Sequence, residues 1–153
     1  MLSFIGIGLN DEKDISVKGL ELVKKADFVY LENYTSRLSC SFEDLESFYG
    51  KKVIPVERAF VEDGQVLLEQ AASSNVALLI IGDVFSATTH ISLFQQAKEE
   101  KVEVKIVNNA SVLTAIGITG LSLYKFGKTT SIAFHDAEAA KRVIKENGQM
   151  HTL

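Results

Sequence analysis

The stretch IIGDVFSATTH, Ile80 to His90, sets a carboxylate, three hydroxyls and an imidazole directly after an aliphatic run. Asp83 can act there in two ways. A carboxylate just past an apolar strand caps the next segment and accepts backbone N–H bonds. Placed at a ligand-binding edge, it accepts hydrogen bonds from a ligand's hydroxyls or amine. Ser86, Ala87, Thr88 and Thr89 are small, so a ligand could approach the backbone closely, with helix N-terminal amides nearby. GIGLN, with Gly6 and Gly8, offers a second candidate floor for a ligand. It lacks the third glycine of the dinucleotide fingerprint, and a plain turn that needs small residues explains it as well. His90 has no Cys, His or Glu at ligand spacing and makes no zinc site; it reads as a structural or helix-orienting residue. His135 and His151 carry no assignment. Cys40 sits in a Ser-rich stretch without a neighbouring histidine, which argues against a nucleophile. No Gly-x-Ser-x-Gly or Walker pattern occurs.

Alternating apolar segments must position these residues. Met1 to Leu9 reads as a buried strand. Ser16 to Ala26 reads as a helix capped by Ser16, and Asp27 to Tyr34 as a second strand. Ser41 to Phe48 has the capping-box pattern, with Asp44 three residues after Ser41. Lys52 to Glu57 is a third strand, placed at an edge by Pro55. Glu62 to Ser73 reads as one helix. Asn75 to Ile81 is wholly apolar after its first residue, as the centre of a parallel sheet covered on both faces should be. Thr89 to Lys101 is a helix, Val102 to Val107 a fifth strand and Ser111 to Ile118 a fifth helix. This alternation predicts a doubly wound, mostly parallel five-stranded α/β sheet with helices on both faces. Ligands in such sheets bind beyond the carboxyl ends of the strands. Three strand ends are therefore the candidates: Gly6 to Asn10, Gly82 to Thr89, and Asn108 to Val112. Lys128 to Phe134 reads as a further strand, Asp136 to Asn147 as an amphipathic helix, and His151 to Leu153 as the start of another strand.

The bulk properties suit such a domain. The 153 residues are 46% hydrophobic and 24% charged, enough for a real core. A net charge of −4 gives no electrostatic case for nucleic acid. No apolar run reaches the ~20 residues that span a bilayer, and the acidic N-terminal stretch is not a signal peptide. One cysteine leans towards a reducing compartment, so the expectation is a cytoplasmic protein.

Three segments together carry a resemblance: FIGIGLNDEKDISVKGLELVKKAD, GDVFSATTH and NNASVLTAIGITGLSLYKFGK. They resemble the diphthine synthase family of the tetrapyrrole-methylase superfamily. ATTH and the GITGL–YKFGK elements are the parts specific to that family. The resemblance runs from Met1 to the C-terminus. It implies S-adenosyl-L-methionine as cofactor and a modified histidine of translation elongation factor 2 as the methylated group. It implies cofactor contacts from Leu9, Asp83, Ser86, Ser111 and Val112, and names no catalytic residue. It also implies a homodimer and two α/β domains with the cofactor between them. Residues 1–120 match the first domain, and residues 121–153 match the opening strand, helix and strand stub of a truncated second. The chain by itself is then expected to have little activity. Val84 stands where the family usually has proline, which leaves that loop's φ freer. The rival readings are a non-catalytic binding module and a tetrapyrrole or ribosomal RNA methyltransferase of the same superfamily.

Overall fold

A computed structural model describes residues 1–34, 36–86, 90–127, 141, 142 and 145. Five strands form one sheet: β1 Leu2–Gly6, β2 Phe28–Glu32, β3 Ile54–Val56, β4 Val76–Ile80 and β5 Val104–Val107. Their order is β3-β2-β4-β1-β5, and every strand pair is parallel. β4 lies at the centre with all five residues buried. That is why its sequence is apolar without alternation. β3 lies at an edge. Pro55, paired in register with Leu31, needs no ladder partner for its missing N–H on the open side.

Helices α1 Val17–Lys25 and α2 Phe42–Tyr49 carry the connections that run from β1 to β2 to β3. Helices α3 Arg58–Asp63, α4 Gln65–Ala71 and α5 His90–Glu99 carry those that run back to β4 and on to β5. Right-handed crossovers place helices on opposite faces when the direction of travel reverses. The core divides accordingly. Val23, Leu45 and Tyr49 pack with Ile5, Leu31 and Leu79 on one face. Leu67, Leu68 and Leu93 pack with Phe4, Leu78 and Ile80 on the other.

The caps follow the sequence. The Ser16 hydroxyl accepts from the Gly19 amide, and Ser41 and Asp44 form the reciprocal capping box. One expectation needs correction. Glu62 to Ser73 is not one helix; α3 and α4 meet at Gly64, whose φ is +69°. A Cβ there would lie 2.5 Å from Leu93 Cδ1, so glycine both turns the chain and admits α5. The helix expected over Ser111 to Ile118 is also shorter. It comprises α6 Val112–Ala115, followed by a 3-10 turn over Ile116–Thr119.

The chain divides into two compact units, Met1–Val112 and Leu113–Leu153. In the second, the described residues include the 3-10 turns Ile116–Thr119 and Leu123–Lys125. The strands expected at 128–134 and 151–153 lie outside the described residues. So does the helix expected at 136–147, apart from Lys141, Arg142 and Lys145, which are helical. Among the described residues, no helix is long and apolar enough to cross a membrane.

Gly6 closes β1 where three chain segments crowd. A Cβ at this position would lie 2.7 Å from the Gly82 carbonyl oxygen and 2.9 Å from Asn109 Cβ. Backbone is a poor neighbour to push aside. Gly6→Ala is expected to lower unfolding free energy by about 1–3 kcal/mol, as overpacking does. Urea denaturation checks this; an unchanged midpoint would contradict the tight packing.

Candidate functional site

The sheet order creates a crevice between β1 and β4. These strands are neighbours, but the chain leaves β1 towards one face and β4 towards the other. Such a switch point is where open α/β sheets bind ligands, because the diverging connections leave a gap beyond the strand ends. The parallel ladder ends there. Ile7 N still donates to Ile80 O at 2.9 Å. Beyond it, Gly8 and Gly82 exchange two backbone bonds as an isolated antiparallel bridge, with φ of +80° and +89°. Two glycines are required because both residues occupy the left-handed region. GIGLN therefore does more than make a plain turn: it lines the crevice floor.

Asp83 stands next to this bridge. Its Oδ1 accepts from the Phe85 amide at 3.2 Å and the Ser86 hydroxyl at 3.0 Å. Its Oδ2 accepts from the Asn109 amide at 3.0 Å, beyond β5. Burial pushes the Asp83 carboxyl up. The bonds from the Asn109 and Phe85 amides, the Ser86 hydroxyl and the Val84 amide outweigh it and hold the group below its ordinary 3.8. Asp83 is thus a charged acceptor around which the β4 loop folds, and it ties that loop to the end of β5.

Asn109 continues the tie. Its Nδ2 donates to Gly6 O at 3.0 Å and to Asp14 O at 2.9 Å, and its Oδ1 accepts from the Ala110 amide at 2.7 Å. Backbone pairing between β1 and β5 stops at Ile5 and Val107, and this side chain takes over where the ladder ends. Asp14 folds back the loop after β1, its Oδ2 accepting from the amides of Leu9 and Asn10. The sequence pointed to these strand ends but not to Asn109 or Asp14 as their fasteners. The available signal was an Asn-Asn pair after an apolar strand and an aspartate closing an acidic turn, both able to bond local backbone.

The residues singled out in the sequence fall around this crevice as follows. Leu9 is 37% exposed, and its Cδ2 lies 3.8 Å from where a Gly82 Cβ would be. The same point is 3.8 Å from the Ala110 carbonyl, so the β5 loop reaches the bridge too. Ser86 is bonded to Asp83. Ser111 is buried, and Val112, at the start of α6, is 54% exposed. Ala87, Thr88 and Thr89 lie outside the described residues. Asp83 and Ser86 are bonded to each other, Leu9 lies near Gly82, which precedes Asp83, and Ser111 and Val112 follow Asn109 after Ala110.

His90 opens α5 and is 1% exposed. Its Nε2 lies 3.2 Å from Oε2 of Glu32, the equally buried last residue of β2. This contact joins α5 to the sheet on the α3–α5 face. Among the described residues, no group of three His, Cys, Asp or Glu is arranged to hold a metal.

Burial pushes the His90 imidazole down to about 4 from its usual 6.5. In the unfolded chain it takes up a proton as pH falls through 6.5; in the fold it resists until about 4. Its contribution to stability is therefore present above pH 6.5 and is lost between 6.5 and 4. We expect wild type to lose on the order of 2–3 kcal/mol more than His90→Gln across that window. Urea unfolding at pH 7.5 and at pH 4.5 measures it, and parallel losses would refute a neutral buried His90.

Comparison with known proteins agrees with this architecture. The profile of the Tetrapyrrole (Corrin/Porphyrin) Methylases matches residues 1–152. The chain is 46% identical to diphthine synthase of Archaeoglobus fulgidus over 157 aligned residues, covering all of this chain and 62% of that protein. It is 46% identical to human diphthine methyl ester synthase over 160, covering all of this chain and 56% of the relative. A crystal structure of diphthine synthase superposes with a TM-score of 0.88 at 45% identity, covering 99% of this chain and 62% of that one. The chain thus spans about three fifths of the length of these relatives. With its profile matched over nearly every residue and its sheet shared with a diphthine synthase, this chain belongs to the tetrapyrrole methylase family.

Proposed function

We propose that this chain supplies the cofactor-binding part of a diphthine synthase-type methyltransferase. It would use S-adenosyl-L-methionine to methylate the modified histidine of translation elongation factor 2. The observation that carries this reading is the β1–β4 crevice, whose floor is two left-handed glycines and whose rim is set by Asp83. The names of the relatives, diphthine synthase and diphthine methyl ester synthase, supply the substrate class. On the same resemblance we propose a cytoplasmic homodimer.

The residues present suit such a cofactor. The glycine bridge leaves backbone accessible without side chains, so a ligand can lie close to it. Leu9 and Val112 offer exposed apolar surface for a heterocycle. Asp83, Ser86 and Ser111 bring a carboxylate and hydroxyls for ribose or amino-acid groups. When bound, the cofactor supplies an activated methyl group, and the protein's task is alignment and exclusion of water. Asp83 holds the loop in shape and sets a negative charge at the rim. Val84 is fully buried in the α3–α5 core, which anchors the loop by packing where proline would restrict φ.

Isothermal titration of the chain with S-adenosylmethionine tests the binding part of this reading, and labelled methyl transfer to elongation factor 2 tests the reaction. Asp83→Ala is expected to weaken cofactor binding tenfold or more, the effect of losing one charge-assisted bond worth ~1.5–3 kcal/mol. Unchanged affinity in a folded variant would remove Asp83 from the site.

A further inference from the structure

A cavity of about 210 Å³ opens at the carboxyl ends of β2 and β4, on the α1–α2 face. Leu31 and Leu45 form its buried floor, with Phe42 and Ile81 on its walls. Asn33 and Arg37 stand exposed at its rim. It is distinct from the glycine bridge but adjoins it. Ile81 directly precedes Gly82, and the Ser39 amide donates to Asn10 O at 2.6 Å, fastening the cavity's outer segment to the loop that carries Leu9. Its volume is below the ~300–1,000 Å³ of sites for drug-sized ligands. It suits one side chain and not an entire nucleoside cofactor.

Arg37 gives the rim its character. Among the described residues it makes no ion pair. Lys13, by contrast, lies 3.3 Å from Glu12, and Arg58 stacks over Tyr34 and faces Glu62 at 3.8 Å. The chain carries a net charge of −4, so an acidic guest needs a local cation to be held here. A guanidinium grips a carboxylate with two parallel bonds and keeps its charge at any working pH.

We propose that this cavity is the acceptor subsite, with Arg37 pairing the carboxylate of the side chain to be methylated and Leu31, Phe42 and Leu45 taking its apolar part. The proposal rests on the functional reading above. A relative named for making a methyl ester must methylate a carboxylate, which is the group an unpaired arginine selects. In that transfer a carboxylate oxygen gives an electron pair to the methyl carbon. The carbon–sulfur bond of the donor sulfonium breaks, and its pair stays on sulfur as a neutral thioether. No proton moves, so the subsite needs no base. The ester product is neutral, its pairing with Arg37 is gone, and the product is free to leave.

The test uses elongation factor 2 bearing the unmethylated acceptor side chain, with wild type, Arg37→Ala and Arg37→Lys. Labelled transfer gives KM for the acceptor, equilibrium binding of the same factor gives its Kd, and titration with S-adenosylhomocysteine reads the cofactor side. Arg37→Ala should raise KM and Kd for the acceptor tenfold or more, with S-adenosylhomocysteine affinity within twofold of wild type. Arg37→Lys should recover part of the loss. Equal acceptor KM and Kd in wild type and Arg37→Ala would overturn the subsite and leave the function standing. A matching loss of S-adenosylhomocysteine affinity would assign Arg37 to the cofactor and also overturn it. Wild type that binds S-adenosylhomocysteine yet shows no binding of this factor would overturn the functional reading, and the subsite with it.

Discussion

The bonds that the Asp83 carboxylate accepts from its own loop and from the segment after β5 hold the carboxyl edge of the sheet together. A parallel sheet has no backbone pairing left where its strands diverge, so the amides beyond each strand need other acceptors. Asp83 takes those of Phe85 and Asn109, and Asp14 takes those of Leu9 and Asn10. Asn109 then returns a bond to Gly6. Each bond has one ionised or side-chain partner, which makes it stronger or more specific than backbone ladder alone. Without this set, the Gly8–Gly82 bridge would face unsatisfied amides on both sides. The switch point is therefore a consequence of topology, fastened by side-chain acceptors where the topology reverses.

The two titratable groups that bracket the loop after β4 act differently. Asp83, at its start, is part-buried and stabilised as an anion by donors. His90, at its end, is buried against Glu32 and kept neutral by loss of solvent. Packing anchors the same loop a third way, through Val84 in the α3–α5 core. Polar contacts at Asp83 and a buried valine beside it hold Ser86 at the end of β4. That is the usual division of labour between a rigid α/β scaffold and its loops.

Much of the scaffold was legible because local and global preferences agree. The apolar run of β4 announced a central strand, Pro55 an edge, and Ser16 and Ser41 their helix starts. Each signal is local and carried by one residue type. The break at Gly64 was missed because the periodicity of Glu62 to Ser73 also suits a single helix; the turn is settled by Leu93, which arrives from α5. Asn109 and the Glu32–His90 contact were missed for a similar reason. Their partners are far along the chain, and nothing in the spacing of residues states that strand five will lie beside strand one.

The sequence by itself determined the order of the five strands, the parallel sheet with two covered faces, and the three strand ends that carry its polar loops. It did so because hydrophobic period and cap chemistry act over a few residues. Only the tertiary structure decided what those ends do to each other. It turned GIGLN from a turn into one half of a glycine bridge, and Asp83 from a local cap into the fastener of the β4 and β5 ends. It also set Arg37 beside a cavity floored by Leu31 and Leu45. These outcomes depend on which strands become neighbours, and that follows from how two helical layers bury the two faces of one sheet, a property of the whole domain.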